Sequence, residues 1–279
     1  MKRKMVSKGL TYLFIALLGI ALLFPILYMV LASFKTNAEI FGSTAILPEH
    51  FSFEYYVKGW AGNGQFTYLT FFTNTFALVI PVVLFTVVSC TIVAYGFARF
   101  NFKSKKLLFT ILLATLMLPN TVIIIPRYML FNKFGWIDTY LPFYVPALLG
   151  CYPFFIYQMV QFMRSIPMDL DEAAYIDGCG TFRTLITILM PLLKPAMFSA
   201  GLLQFTWTYN NYFDTLIYIN SASKYPVSLA MRMTLDAESV VEWGKVMAMA
   251  CVVVLPLVVL FFSAQKYFVE GITAGGVKG

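Results

Sequence analysis

The stretch Asp169-Leu170-Asp171-Glu172-Ala173-Ala174-Tyr175-Ile176-Asp177-Gly178, followed after nine residues by Ile188-Leu189-Met190-Pro191, decides how the rest of this chain is read. It carries four carboxylates, with Arg183 just beyond, and it separates two long apolar runs. Pro167 suits the first turn of a helix, where its missing N–H costs nothing. Asp169, Asp171 and Glu172 then fall near the helix N-terminus, where the dipole favours negative charge. Ala173 and Ala174 allow another backbone or side chain to come close. Gly178 and Gly180 break the helix, and Thr181 is placed to cap a second one. The spacing predicts a helix–turn–helix over about 165–190, with a small acidic face turned to water. Such an element between spans needs either a partner or solvent: a docking surface is one reading, and a plain solvated connection is the alternative.

The flanking composition sets the class. The chain is 60% hydrophobic and 12% charged, with mean hydropathy +0.78. Soluble domains carry roughly 25% charged residues. A membrane span needs about 20 consecutive apolar residues, and six windows qualify: 10–32, 76–98, 107–128, 140–163, 192–219 and 246–264. The expected fold is all-α, a polytopic membrane protein of six transmembrane helices forming a single domain over 1–279. Its outer loops fall at about 33–69 and 220–245. The first span has a basic start and a small-residue pattern at Val30-x-Ala32. Its apolar run is longer than a signal core of about 7 to 15 residues, so it is read as a retained helix.

Charge orients the six spans. With the N-terminus inside, 13 of the 20 Lys and Arg and 5 of the 13 Asp and Glu lie on the inner side, which nets +8 against −1 outside. Basic residues favour the cytoplasmic side, so both termini and the 165–190 segment are expected in the cytoplasm. The pI of 9.1 thus reflects topology. Nucleic acid is not an expected partner, because no basic cluster is interleaved with stacking aromatics. Membrane lipid is.

Several chemistries are excluded. There is no G-x-x-x-x-G-K-[ST] phosphate loop, and the spans hold almost no ionisable residues in their central portions of the kind that ion-coupled carriers use. A pump of this composition takes its energy from another subunit. The only histidine, His50, lies in the first outer loop, so no Ser-His-Asp or Cys-His set forms near the membrane. The four cysteines fall in spans or the inner loop without a C-x-x-C pair. No catalytic residue and no metal site is expected.

The E-A-A, Gly, I-x-x-P spacing resembles the EAA loop of ABC importer permeases, with Met190 standing where that family usually has leucine. Phe205-x-Trp207-x-x-Asn210-Asn211-Tyr212-Phe213 and the ending Gln265-Lys266-Tyr267-Phe268-Val269-Glu270-Gly271, on through Gly275 to Lys278-Gly279, resemble the carbohydrate-uptake branch of those permeases. The resemblance implies a permease subunit of an ATP-driven sugar or oligosaccharide importer in a prokaryotic plasma membrane, working by alternating access. It implies as partners a second permease of similar fold, two ATPase subunits and an extracytoplasmic sugar-binding protein. ATP and Mg would sit on the ATPase, with no cofactor on this chain, which is then not itself an enzyme. It assigns ATPase coupling to Asp171, Glu172, Ala173, Ala174, Gly178 and Pro191. It also places 273–279 between the ATPase subunits, and the second outer loop against the binding protein where a solvated loop is the alternative. A non-sugar importer shares the loop but not the ending, and a stand-alone facilitator or channel has no need of the loop.

In the fifth span Gln204, Thr208, Asn211 and Thr215 recur at four, three and four residues, which puts them on one face of a continuous helix. Trp207, Asn210 and Asp214 flank that face. Amides, a carboxylate and an aromatic ring suit a sugar path, and the same residues suit interhelical hydrogen bonding. In maltose-type importers the membrane sugar contacts lie mainly on the other permease. Pro119, Asn120 and Pro126 in the third span mark a kink, either for gating or for packing.

Overall fold

The computed structural model describes residues 2–62, 64–236 and 241–276. The tail residues 277–279, and the side chains of Asp236, Glu238 and 265–276, lie outside that description, so the carbohydrate-type ending and the 273–279 placement are not tested by it. Among the described residues the chain is helical, without strands. The helices are α1 (Lys2–Ala32), α2 (Asn37–Gly42), α3 (Glu54–Trp60), α4 (Tyr68–Arg99), α5 (Lys105–Leu116), α6 (Asn120–Lys133), α7 (Leu141–Leu148), α8 (Pro153–Arg164), α9 (Asp169–Ile176), α10 (Thr181–Thr184), α11 (Met190–Tyr209), α12 (Tyr212–Tyr218), α13 (Val227–Asp236) and α14 (Trp243–Gly276). Five helical stretches are long and apolar enough to cross a membrane, or six if the bent pair α5 and α6 counts as one span.

Three spans differ from the sequence expectation. The third is not one helix: α5 and α6 meet at 106° across Met117, Leu118 and Pro119. Pro119 has no N–H to continue the ladder and lies in the extended region at φ −61 and ψ 134, capping a new helix that starts at Asn120. The fourth is divided between α7 and α8, where Gly150 takes φ +67 and Pro153 opens the second piece. The fifth starts earlier than expected, at Thr181, and its helix stops at Tyr209 instead of running to 219. The two outer loops are not plain loops either, since the first contains α2 and α3 and the second α13.

Two compact units are present, residues 1–70 with 230–256 and residues 71–229 with 257–279. In the first, Thr36 and Glu39 form a capping box at the start of α2. Asn37 donates to the Val241 carbonyl at 2.7 Å and accepts from the Trp243 N–H at 2.8 Å, tying the first outer segment to the start of α14. Lys35 is buried, donates to the Ala45 carbonyl and sits over the Tyr28 ring. A Cβ on Gly244 would lie 2.4 Å from the Lys35 carbonyl, so only glycine fits there.

In the second unit, Cys90 and Ala94 of α4, Phe155, Ile156, Met159 and Val160 of α8, and Ala196 and Ala200 of α11 form one buried cluster. Small residues let the three helices approach closely, which is how packing is gained where lipid is as apolar as the side chains. A second cluster joins Leu78 and Val82 of α4, Phe131 of α6, Phe143 and Ala147 of α7, and Tyr218 of α12.

Beside that cluster, Asp138 takes φ +61, the one described residue other than glycine with positive φ. Its carboxylate accepts from the Lys224 ammonium at 2.7 Å, the Ser221 hydroxyl at 2.6 Å, and the N–H groups of Ser221 at 2.8 Å and Asn220 at 3.0 Å. The Lys224 and Ser221 side-chain hydrogen bonds hold this carboxyl well below the usual carboxylate range. A depressed folded value gives stability that is present above the unfolded value, near 3.9, and is lost as pH falls below it. Thermal unfolding followed from pH 7 to pH 3 should therefore show a loss at the acid end. That loss should shrink in Asp138→Asn, which keeps the left-handed backbone but cannot ionise.

Candidate functional site

The acidic segment forms α9, with Asp169, Asp171 and Glu172 in its first turn. Its end is a Schellman motif: the Gly178 N–H donates to the Tyr175 carbonyl at 3.0 Å and the Cys179 N–H to the Ala174 carbonyl at 2.9 Å. The closing residue, Gly178, has φ +76. Gly180 then takes the cap position expected of Thr181, which is instead the first residue of α10. Residues Leu185–Leu189 form a π-helical turn before α11. Pro191 follows directly: it has no N–H for the Thr187 carbonyl that a regular α-helix would pair with it, and just before it the Met190 N–H donates to the Leu185 carbonyl in the wide register.

The segment is fastened from below. Leu185, Leu189 and Leu193 pack with Tyr95, Met163 and Ile166 in a buried cluster. Arg99, at the end of α4, has a side chain only 4% exposed and pairs with Asp171 at 3.0 Å. The contact is an ion pair rather than an aligned hydrogen bond. Arg99 also donates to the Ile166 carbonyl at 3.1 Å, and the Tyr95 hydroxyl to the Thr181 carbonyl at 3.1 Å. Asp171, expected on a docking face, thus points into its own chain, as does buried Ala174.

Glu172, Ala173 and Gly178 do face outward. Beside them are Tyr175 at 81% exposed, Ile176 at 84% and Phe182 at 64%. Sequence reasoning passed over these three. Their signal was two large apolar residues directly after an Ala-Ala pair in an otherwise charged helix.

The expected polar stripe of the fifth span is not a single helix face. Asn211 leaves the helical region, at φ −74 and ψ 87, and accepts from the Asp214 N–H at 3.1 Å to cap α12. The helix therefore breaks between Tyr209 and Tyr212. Gln204, Thr208 and Thr215 are buried inside the unit. Gln204 donates to the Thr208 hydroxyl at 3.2 Å, and Thr215 donates back to the Asn211 carbonyl at 2.6 Å. Trp207 and Asn210 are exposed, with the Trp207 ring 5.1 Å from those of Phe154 and Phe155. Asp214 pairs with Arg127 of α6 at 2.9 Å, an ion pair that a search for charges within one span could not find.

These features define a multi-pass α-helical membrane protein with a rigidly held, acidic and apolar element between its spans. Residues 89–274 match the model of the binding-protein-dependent transport system inner membrane component, and the chain belongs to that family. It is 30% identical over 281 residues, all of both chains, to the trehalose/maltose transport system permease protein MalG of Thermococcus litoralis. It is 28% identical over 277 residues, 99% of this chain and 98% of the other, to the galactooligosaccharides transport system permease protein GanQ of Bacillus subtilis. Among solved structures, a chain of a bacterial ABC transporter that imports the acidic polysaccharide alginate superposes with TM-score 0.83 at 20% identity. That match covers 96% of this chain and 98% of the other.

Proposed function

We propose that this chain is the membrane permease subunit of an ATP-driven importer that takes a sugar or oligosaccharide from an extracytoplasmic binding protein. The reading is supported by the full-length similarity to sugar-system permeases. The single observation that carries the mechanism is the outward face of α9. Glu172, Ala173, Tyr175, Ile176 and Gly178 stand exposed on a segment whose other side is welded to the bundle. Such a face converts a movement of its partner into a movement of α4, α8 and α11 without bending. The partner is an ATPase subunit, which supplies ATP and Mg. A second permease completes the path, both termini lie in the cytoplasm, and the second outer loop meets the binding protein.

Along the path, Trp207, Asn210, Asn211 and Asp214 are the candidate fifth-span residues that keep exposed surface, while Gln204, Thr208 and Thr215 are buried and hold the helices together. In a chain cleared of its own cysteines, Asn210→Cys and Asn211→Cys should react with a small hydrophilic thiol reagent at rates that nucleotide changes. Gln204→Cys, Thr208→Cys and Thr215→Cys should stay protected in every state. Uniform protection at all five positions would remove the fifth span from the path.

The assignment as a whole is tested by purifying the chain with its neighbours, reconstituting the complex in vesicles and measuring uptake of the sugar its binding protein selects. Uptake should require internal or external ATP on the ATPase side only. Uptake by this chain alone, down a gradient and without ATP, would make it a facilitator instead.

A further inference from the structure

We infer that Arg127 and Asp214 form a charge-balanced hydroxyl-binding element that selects uncharged sugars over acidic ones, an inference that rests on the importer reading above. The pair joins the two helix breaks of the second unit. Arg127 Nη2 donates to Asp214 Oδ1 at 2.9 Å and to Asn120 Oδ1 at 3.2 Å, and Arg127 Nε donates to the Tyr218 hydroxyl at 2.8 Å. Asn211 Nδ2 donates to Asp214 Oδ2 at 2.9 Å. Asn120 begins α6 directly after the 106° bend, and Asn211 caps α12 directly after the fifth-span break. Each break thus delivers an amide to the same ion pair.

The cluster is not closed. Arg127 is 30% exposed and Asp214 16%, and Asn120 is exposed. Guanidinium carries five N–H donors. Among the described residues, those of Nη1 and the Asn120 amide N–H groups have no hydrogen-bond partner, while the guanidinium carbon lies 5.8 Å from the centre of the Tyr218 ring. Lipid is not a tenable neighbour for an exposed ion pair, because charged side chains in spans face protein or water. What remains is a patch of free donors and carboxylate lone pairs, which is the chemistry that recognises neighbouring hydroxyls. Its net charge is zero. An acidic sugar brings a carboxylate that Arg127 would bind bidentately, but here Asp214 already holds one edge of the guanidinium and repels a second anion.

Saturation-transfer NMR on the complete importer in nanodiscs, with maltotriose as the neutral probe and trigalacturonic acid as the acidic one, tests this. The wild type should favour maltotriose. Asp214→Asn, which keeps size and amide hydrogen bonding, should gain affinity for trigalacturonate by about tenfold, the worth of one new charge-assisted hydrogen-bond pair. Adding Arg127→Gln should abolish that gain. Arg127→Lys, which keeps the charge and loses the fork, should weaken maltotriose without creating the acidic preference. An unchanged preference in an intact Asp214→Asn complex overturns the inference. So does separation of the two permeases on size exclusion, which would make the pair a subunit contact. ATP hydrolysis stimulated by liganded binding protein separates the two levels: if the wild type has it and Asp214→Asn alters nothing, only the specificity element fails. If the wild-type complex lacks it, the importer reading itself fails.

Discussion

A Gly178→Asp chain should insert and assemble normally yet lose transport and substrate-stimulated ATP hydrolysis together, by roughly 5- to 150-fold for about 1–3 kcal/mol of lost coupling. The structure shows where that loss arises. No atom lies within 4 Å of a Cβ built on Gly178, so an added side chain meets nothing in its own chain. It meets whatever seats on α9, beside Glu172 and Asp177, and it adds a third carboxylate to that rim. The backbone at φ +76 contributes separately: about 1–2 kcal/mol for a residue such as Ala, and less for Asp, which like Asn visits the left-handed region. Two control variants split the effects. Gly178→Asn has the same shape and similar tolerance of positive φ without the charge, so its difference from Asp measures electrostatics. Gly178→Ala measures the strain. Normal transport by Gly178→Asp would show that α9 is not the coupling surface.

Asp171→Ala should be the most destabilising single change in the acidic segment. It strands the Arg99 guanidinium, whose side chain is 4% exposed. Removing one partner of a buried pair costs about 3–5 kcal/mol, mostly for the charge left without compensation. The expected signs are a lowered unfolding temperature in detergent and new proteolytic cutting between 165 and 180. Arg99→Met combined with Asp171→Leu removes both charges and should recover much of the loss. If Asp171→Ala unfolds and resists protease like the wild type, the pair does not hold α9 in place. Because Asp171 anchors and Glu172 projects, the two neighbouring acids should also separate by assay: Glu172→Ala should lower coupled ATP hydrolysis with little change in unfolding temperature.

Part of this could be read from residues alone. The first, second and sixth spans are uninterrupted apolar runs, and α1, α4 and α14 cover them. The 165–190 segment was legible because its helix signals are local: carboxylates in the first turn, Gly178 at the end, Pro191 at the start of the next helix. The breaks at 117–119, 149–152 and 210–211 were not, because an apolar window registers side chains and ignores the backbone. Pro119 and Pro153 were visible there, but a proline in a span can bend a helix or end it, and neighbouring contacts decide which. Asn210-Asn211 gives still less warning, since the cap forms only with the Asp214 N–H in place. Sequence alone places Asp171 on the surface because Arg99 is remote in the chain, and the Arg127–Asp214 pair is hidden for the same reason.

One helix follows a different rule from all the others. Residues 10–27 of α1 form an 18-residue apolar stretch with no buried residue, whereas the corresponding windows of α4 and α11 are one-third buried. Over that stretch, short of Tyr28 and buried Ala32, its own compact unit does not read the shapes of its side chains. Along those residues its position is set by solvent quality: hydrocarbon accepts it and water does not. Permuting Leu, Ile, Phe and Val within this window should leave the unfolding of the chain unchanged. A single aspartate at its centre should expel the helix from the bilayer. If order as well as composition proves to matter there, the reader of that order is another protein, and α1 is the edge along which this chain is recognised.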